Sequence, residues 1–193
     1  MTASFMPSCK SLSWLAALLA LLLGVAAAPA ARADGIEVKR AALVASDDGY
    51  YLEAEFGVAL TPILEEALSK GVPLYFALEF VMTRPRWYWF NEKIVNAGQS
   101  YRLSYNALTR QYRVGVGTLY QNFATLPEAL AFFNRVRMRD IAEPGVLARG
   151  TSYVAELRLR LDVSQLPRPF QVSAVGSRDW SVSSDWHRWT ATP

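Results

Sequence analysis

The chain has 193 residues, 52% of them hydrophobic and 12% aromatic, the composition of a globular protein with enough apolar mass for a core of its own. Its 20 basic residues outnumber its 17 acidic ones, but Lys10 and Arg32 sit in an N-terminal apolar segment that holds no acid. Without them the balance is 18 against 17, a net charge of +1, which removes any strong global field for nucleic acid or another polyanion.

The N-terminal segment reads as a targeting signal. Lys10 precedes a charge-free, Leu/Ala-rich run from Leu12 to Ala28, and Pro29-Ala30-Ala31-Arg32-Ala33-Asp34 follows. A basic start, an apolar run and a small-x-small site are the three parts of a secretory signal peptide. Ala31 and Ala33 are its small residues, with cleavage after Ala33, so residues 1–33 are the signal and 34–193 a single β-rich domain. A retained anchor is the competing reading, although the run falls just short of the ~20 residues that span a bilayer. A lipoprotein needs a cysteine after the run, and the one cysteine, Cys9, precedes it. Once Cys9 has left with the signal, no disulfide can form within the chain. Stability must then come from burial, and a domain of about 160 residues buries roughly 68–70% of its unfolded surface. No later apolar run is long enough to cross a membrane, so no span is expected after processing.

Along the mature chain, Ile36 to Val44 reads as a first strand, and Ser46-Asp47-Asp48-Gly49 supplies turn chemistry. Tyr50, Leu52, Ala54, Phe56, Val58 and Leu60 then alternate with Tyr51, Glu53 and Glu55, the pattern of a half-buried strand. The two form a hairpin. Thr61 as N-cap and Pro62 at the first helical position open a helix, with Ile63, Leu64, Ala67 and Leu68 as its apolar face and Gly71 to end it. Leu74, Phe76, Leu78, Phe80 and Met82 share one side of a strong strand, which Arg84 to Phe90 continues as an aromatic strand. Gln99–Leu108 and Gln111–Leu119 form a second hairpin around the unusual turn pair Thr109-Arg110. Thr125 and Glu128 have capping-box spacing before a second helix that runs to about Met138, with Leu126, Leu130, Phe133 and Val136 as its stripe. Asp140 to Gly150 reads as a loop. In the clearest strand, Tyr153 to Val163, Tyr153, Ala155, Leu157, Leu159, Leu161 and Val163 face the core, and Glu156, Arg158, Arg160 and Asp162 face water. Phe170–Gly176 and Trp180–Trp189 offer final strands. Roughly seven or more strands with one wet face each predict a mainly β, antiparallel sandwich-like domain with two accessory α-helices. A single curved sheet covered by the helices is the alternative.

Several strings resemble one family together: Gly71-Val72-Pro73-Leu74, Arg84-Pro85-Arg86-Trp87-Tyr88-Trp89, the run from Leu103 to Val114, the run from Leu157 to Pro167, and Pro169-Phe170-Gln171-Val172. They resemble the DUF4390 family of exported proteobacterial proteins across essentially the whole mature chain. The resemblance implies export and a Gram-negative envelope address, and brings no catalytic residues. Family members are associated with genes beside a nitrogen-regulation-type sensor kinase, which makes a membrane sensor kinase a candidate partner.

Chemistry-bearing residues are few. The mature chain has one histidine, His187, and no cysteine, which excludes a cysteine nucleophile and leaves too few soft ligands for zinc. No G-x-S-x-G elbow, H-E-x-x-H, P-loop or G-x-G-x-x-G occurs. Gly115-Val116-Gly117 lies in a strand pattern and reads as a bulge or close packing. Asp47-Asp48 reads as a turn. Glu53, Glu55 and Glu79 are the carboxylates that can be placed near one another, on outward faces with Arg102, Arg113, Arg158 and Arg160, where cross-strand ion pairing is the simplest role. No catalytic residue, metal or cofactor is expected. The aromatic groups stand out instead: Trp87, Tyr88, Trp89 and Phe90 follow Arg84 and Arg86, and Trp180, Trp186 and Trp189 form a second cluster. Arginine and tryptophan dominate binding energy at interfaces, and the same residues also fill cores. The expected function is a periplasmic, non-enzymatic module that binds another envelope protein through Arg84, Arg86 and Trp87 to Phe90. A sugar- or peptidoglycan-binding module using the Trp clusters, and a carboxylate-based hydrolase, are the alternatives.

Overall fold

A hairpin of β1 (Gly35–Ser46) and β2 (Gly49–Ala59) opens the fold, turning through Asp47 and Asp48 so that Ser46 pairs with Gly49. Gly49 has φ 129°, and a Cβ there would lie 2.5 Å from the carbonyl oxygen of Ala142, so both conformation and space require glycine. The structure is a computed structural model and describes residues 35–193 apart from 87, 89, 90 and 175; the expected signal, with Ala31 and Ala33, lies outside them. Helix α1 (Pro62–Ser69) begins as expected: Thr61 Oγ1 accepts from the Leu64 amide at 3.4 Å and donates to the Asp179 carbonyl at 2.8 Å. Leu64, Ala67 and Leu68 are buried, whereas Ile63, expected on that face, is 39% exposed. Gly71, at φ 86°, ends the helix.

Strands β3 (Leu74–Arg84), β4 (Glu92–Asn106), β5 (Gln111–Val116) and β6 (Leu119–Phe123) follow as a meander. In the β4–β5 turn, Asn106 Oδ1 accepts from the Leu108 and Thr109 amides and Arg110 takes φ 53°. This side-chain turn explains the unusual Thr109-Arg110 pair. The run Gln111–Leu119, expected as one strand, breaks at Gly117, whose φ of 56° turns the chain into β6. Gly117 is therefore a turn residue rather than a bulge.

Helix α2 (Leu126–Ala131) is capped by Thr125, whose Oγ1 accepts from the Glu128 amide, while Glu128 accepts from Ala124. It does not run to Met138. A 3-10 turn over Phe132–Asn134 leads into β7 (Val136–Ala142), so part of the expected loop is also strand. Arg135, Val136, Arg137, Met138 and Arg139 alternate with period two, and β2 captures them: Leu52 pairs with Met138 and Ala54 with Val136. Strand β8 (Tyr153–Leu161) stops short of the expected Val163, because Asp162 accepts from the Ser164 amide and caps a 3-10 turn over Val163–Gln165; further on, residues expected as strand form a helix, α3 (Arg168–Ala174). Pro167 and Pro169 suit a first helical turn, and the Pro167 carbonyl accepts from Phe170 and Gln171. Strand β9 (His187–Ala191) ends the fold.

Two antiparallel sheets result, ordered β1-β2-β7 and β6-β5-β4-β3-β8-β9. One hydrophobic core joins Leu52 and Phe56 of the small sheet to Phe76, Leu78, Phe80, Leu157 and Leu159 of the large one. Phe133 plugs it, 5.3 Å from Phe76 and 5.5 Å from Tyr101 between ring centroids. The domain is thus mainly β and sandwich-like, with three short α-helices among the described residues. Among the described residues no helix is long and apolar enough to cross a membrane.

Candidate functional site

Strand β3 stops at Arg84 because Pro85 cannot donate to the ladder. Arg84 pairs in register with Glu92, the first residue of β4. Pro85, Arg86 and Tyr88 thus lie beyond the last strand pair, in the connection between β3 and β4, where a continuing aromatic strand was expected. Trp87, Trp89 and Phe90 lie outside the described residues. Tyr88 occupies a bend in the loop and is 64% exposed.

The base of this loop is clamped by charge. Glu92 Oε2 accepts from Arg86 Nη2 at 2.5 Å and lies 3.7 Å from Arg84 Nη1. Arg84 Nη2 donates to Tyr153 Oη at 3.3 Å, and its guanidinium sits 5.6 Å above that ring. Tyr153 is fully buried, and its hydroxyl also accepts from the Ala148 amide at 3.0 Å. Burial acts to raise the Tyr153 hydroxyl, but the Arg84 hydrogen bond, the Ala148 amide and the Arg84 charge hold it below the usual phenol range. The same contact with Tyr153 raises Arg84. Arg84 Nε is buried without a hydrogen-bond partner among the described residues. Arg84 and Arg86 are thus anchored at the loop's root, and Tyr88 is presented beyond it.

The outward face of the large sheet carries the other predicted arginines. Glu79 accepts from Arg158 Nη2 at 2.5 Å and from Arg160 Nε at 2.7 Å. Burial favours the neutral acid, but these two hydrogen bonds and charges hold the Glu79 carboxyl below its ordinary range. Arg158 lies 4.5 Å over Trp186, Arg113 lies 4.5 Å over Tyr120, and Arg102 lies 5.8 Å over Tyr75. Arg188 pairs with Glu156.

A family model described as a domain of unknown function (DUF4390) matches residues 33–190. The chain belongs to this family. No curated protein and no solved structure matches it. The DUF4390 match takes in both sheets, the three helices and the clamped loop.

Within the DUF4390 domain the expected carboxylate set does not assemble. Glu53 and Glu55 lie on β2 of the small sheet, where Glu53 pairs with Arg137, and Glu79 lies on β3 of the large one. Glu53 and Glu55 line a shallow groove of about 330 Å³ with Arg40, Arg135 and Arg137. A general acid needs a raised carboxyl, and Glu79 is shifted the other way. His187 rests on the Trp189 ring at 5.6 Å. Among the described residues no three His, Cys, Asp or Glu side chains are grouped to hold a metal ion.

The second tryptophan cluster is also divided. Trp180 is buried against Phe170 at 5.7 Å, and Trp189 packs on Phe80 at 6.1 Å. Trp186 is 42% exposed and has Arg158 over one face. These three rings offer no common platform for a sugar. The exposed edge strand β6, with Leu119 and Tyr120 in solvent, was missed by sequence reasoning; the signal was Gly117 followed by an uncharged five-residue run.

Proposed function

We propose that this DUF4390 domain is exported to the periplasm and acts there without catalysis, docking another envelope protein through the loop between β3 and β4. The carrying observation is the exposure of Tyr88 on a loop whose two ends are fixed by Arg84, Arg86 and Glu92. An aromatic loop on a rigid base loses little conformational entropy when a partner covers it. In sequence, Trp87, Trp89 and Phe90 flank Tyr88, so the loop is dense in the residue types that anchor interfaces. The N-terminal signal pattern and the family support the envelope address, and a membrane sensor kinase is the first partner to test.

A photo-crosslinking residue in place of Tyr88, in cells, should yield one discrete adduct with an envelope protein. Trp87→Ala combined with Trp89→Ala should abolish that adduct while leaving the melting temperature nearly unchanged. An adduct yield no higher than at the exposed control position Leu108, or a loss of several kcal/mol of stability in the double variant, overturns the reading.

A further inference from the structure

We propose that β6 is a self-association edge, at which a second copy of this chain pairs antiparallel about a two-fold axis through Gln121. The case starts from the four edges of the two sheets, β1, β7, β6 and β9. Natural sheets protect edges with charge, proline or bulges. Strand β1 carries Lys39 and a register break between Val38 and Arg40. Strand β7 carries Arg137 and Arg139 and a φ of 56° at Asp140. Strand β9 carries His187 and Arg188. Strand β6, Leu119-Tyr120-Gln121-Asn122-Phe123, has no charge, no proline and an unbroken ladder to β5. Leu119 is 77% and Tyr120 65% exposed.

The hairpin register fixes which backbone groups are free. Val116 and Leu119 close a two-residue turn, so they form a hydrogen-bonded pair, and bonded pairs then recur at every second position. Leu119, Gln121 and Phe123 thus bond to β5. Tyr120 and Asn122 turn their N–H and C=O groups away from it.

These free positions are self-complementary. With two antiparallel copies centred on Gln121, Tyr120 faces the partner's Asn122 and Asn122 faces the partner's Tyr120. All four free N–H and all four free C=O groups divide into four hydrogen bonds across the axis. On one face Leu119 meets the partner's Phe123. Gln121 meets the partner's Gln121, so no like charges are opposed. The nearest repeated cation is Arg113, whose guanidinium lies over Tyr120 with Nε donating to Asn122 Oδ1 at 3.0 Å, so each copy's charge is held by its own β6 side chains, on the face opposite Leu119, Gln121 and Phe123. The two six-stranded sheets would join as one.

The test uses the full chain with Cys9→Ser, so that an introduced thiol is its only one. Opposed residues in a non-hydrogen-bonded antiparallel pair have Cα atoms about 4.5 Å apart, within disulfide range. Gln121→Cys should form a covalent dimer at least about tenfold faster than Leu108→Cys, because pairing raises the local thiol concentration far above that of collision. Gln121→Lys should abolish the concentration-dependent dimer in sedimentation while leaving the melting temperature unchanged. Equal rates at both cysteine positions, a monomer at every concentration, a dimer that survives Gln121→Lys, or crosslinking of Gln121→Cys to a different protein would each overturn the proposal.

Discussion

Leu159→Ala tests the register on which the whole fold rests. Leu159 is fully buried on β8, directly opposite Leu78 of β3. Its backbone is held from the other side too: its amide donates to Ser184 Oγ at 3.1 Å, and its carbonyl accepts from the Ser184 amide at 2.9 Å. A strand fixed on both sides cannot collapse into the space a truncated side chain leaves. The cost should therefore fall in the upper part of the range for buried leucine, about 3–5 kcal/mol. For a domain of this size that is a drop of roughly 6–20 °C in melting temperature. Arg158, one residue earlier, points to the wet face, where it pairs with Glu79 and covers Trp186. Glu79 keeps Arg160 when Arg158 is removed, so Arg158→Ala should cost only about 1–2 kcal/mol. Urea denaturation of both variants, with equal slopes, measures the difference. A cost for Arg158→Ala equal to or above that for Leu159→Ala would show that β8 is out by one residue, because a one-residue slip exchanges the two faces.

Gly49→Ala should destabilise by about 2 kcal/mol or more, since φ is positive and the new Cβ meets a backbone carbonyl that cannot swing aside; thermal denaturation reads it, and a neutral result would refute the β2–β7 contact. Glu79 is held below its ordinary value of 4.5, so the unfolded chain takes up that proton first as pH falls. The stability it contributes is present above pH 4.5 and is lost as the pH drops through and below that value; Glu79→Gln should flatten melting temperature against pH over that acid limb, and an unchanged limb would contradict the ion-pair assignment. Intact-mass analysis of exported protein should find Asp34 at the N-terminus, and retention of residues 1–33 would convert the signal into an anchor.

The elements legible in advance are those whose local pattern admits one answer. Strands β2, β3 and β8 alternate without interruption, and their buried sets match the expected ones residue for residue from Leu52 to Phe56, Leu74 to Met82 and Tyr153 to Leu161. Thr61 and Thr125 cap their helices because hydroxyl capping is settled within three residues. Residues 126–138 admit two answers. Leu126, Leu130 and Phe133 fit a helical stripe, while Val136 and Met138 between arginines fit a strand. Pairing with Leu52 and Ala54, more than eighty positions away, decides where one ends. The candidate site shows the same division. Arg84, Arg86 and Tyr88 were identified as a dense group, but their separation into anchors and a presented ring depends on Glu92 and Tyr153.

The sequence by itself determined the family, the mainly β class and the inward faces of the long strands. Each of these depends on composition, on contiguous strings or on a period of two, all of which act over a few residues. Tertiary structure alone decided the sheet to which β7 belongs, the helical state of Arg168–Ala174, the dispersal of the carboxylates and tryptophans, and the identity of β6 as an unguarded edge. Strand order and edge position are properties of hydrogen-bonded partners far apart in the chain, and no local periodicity records them.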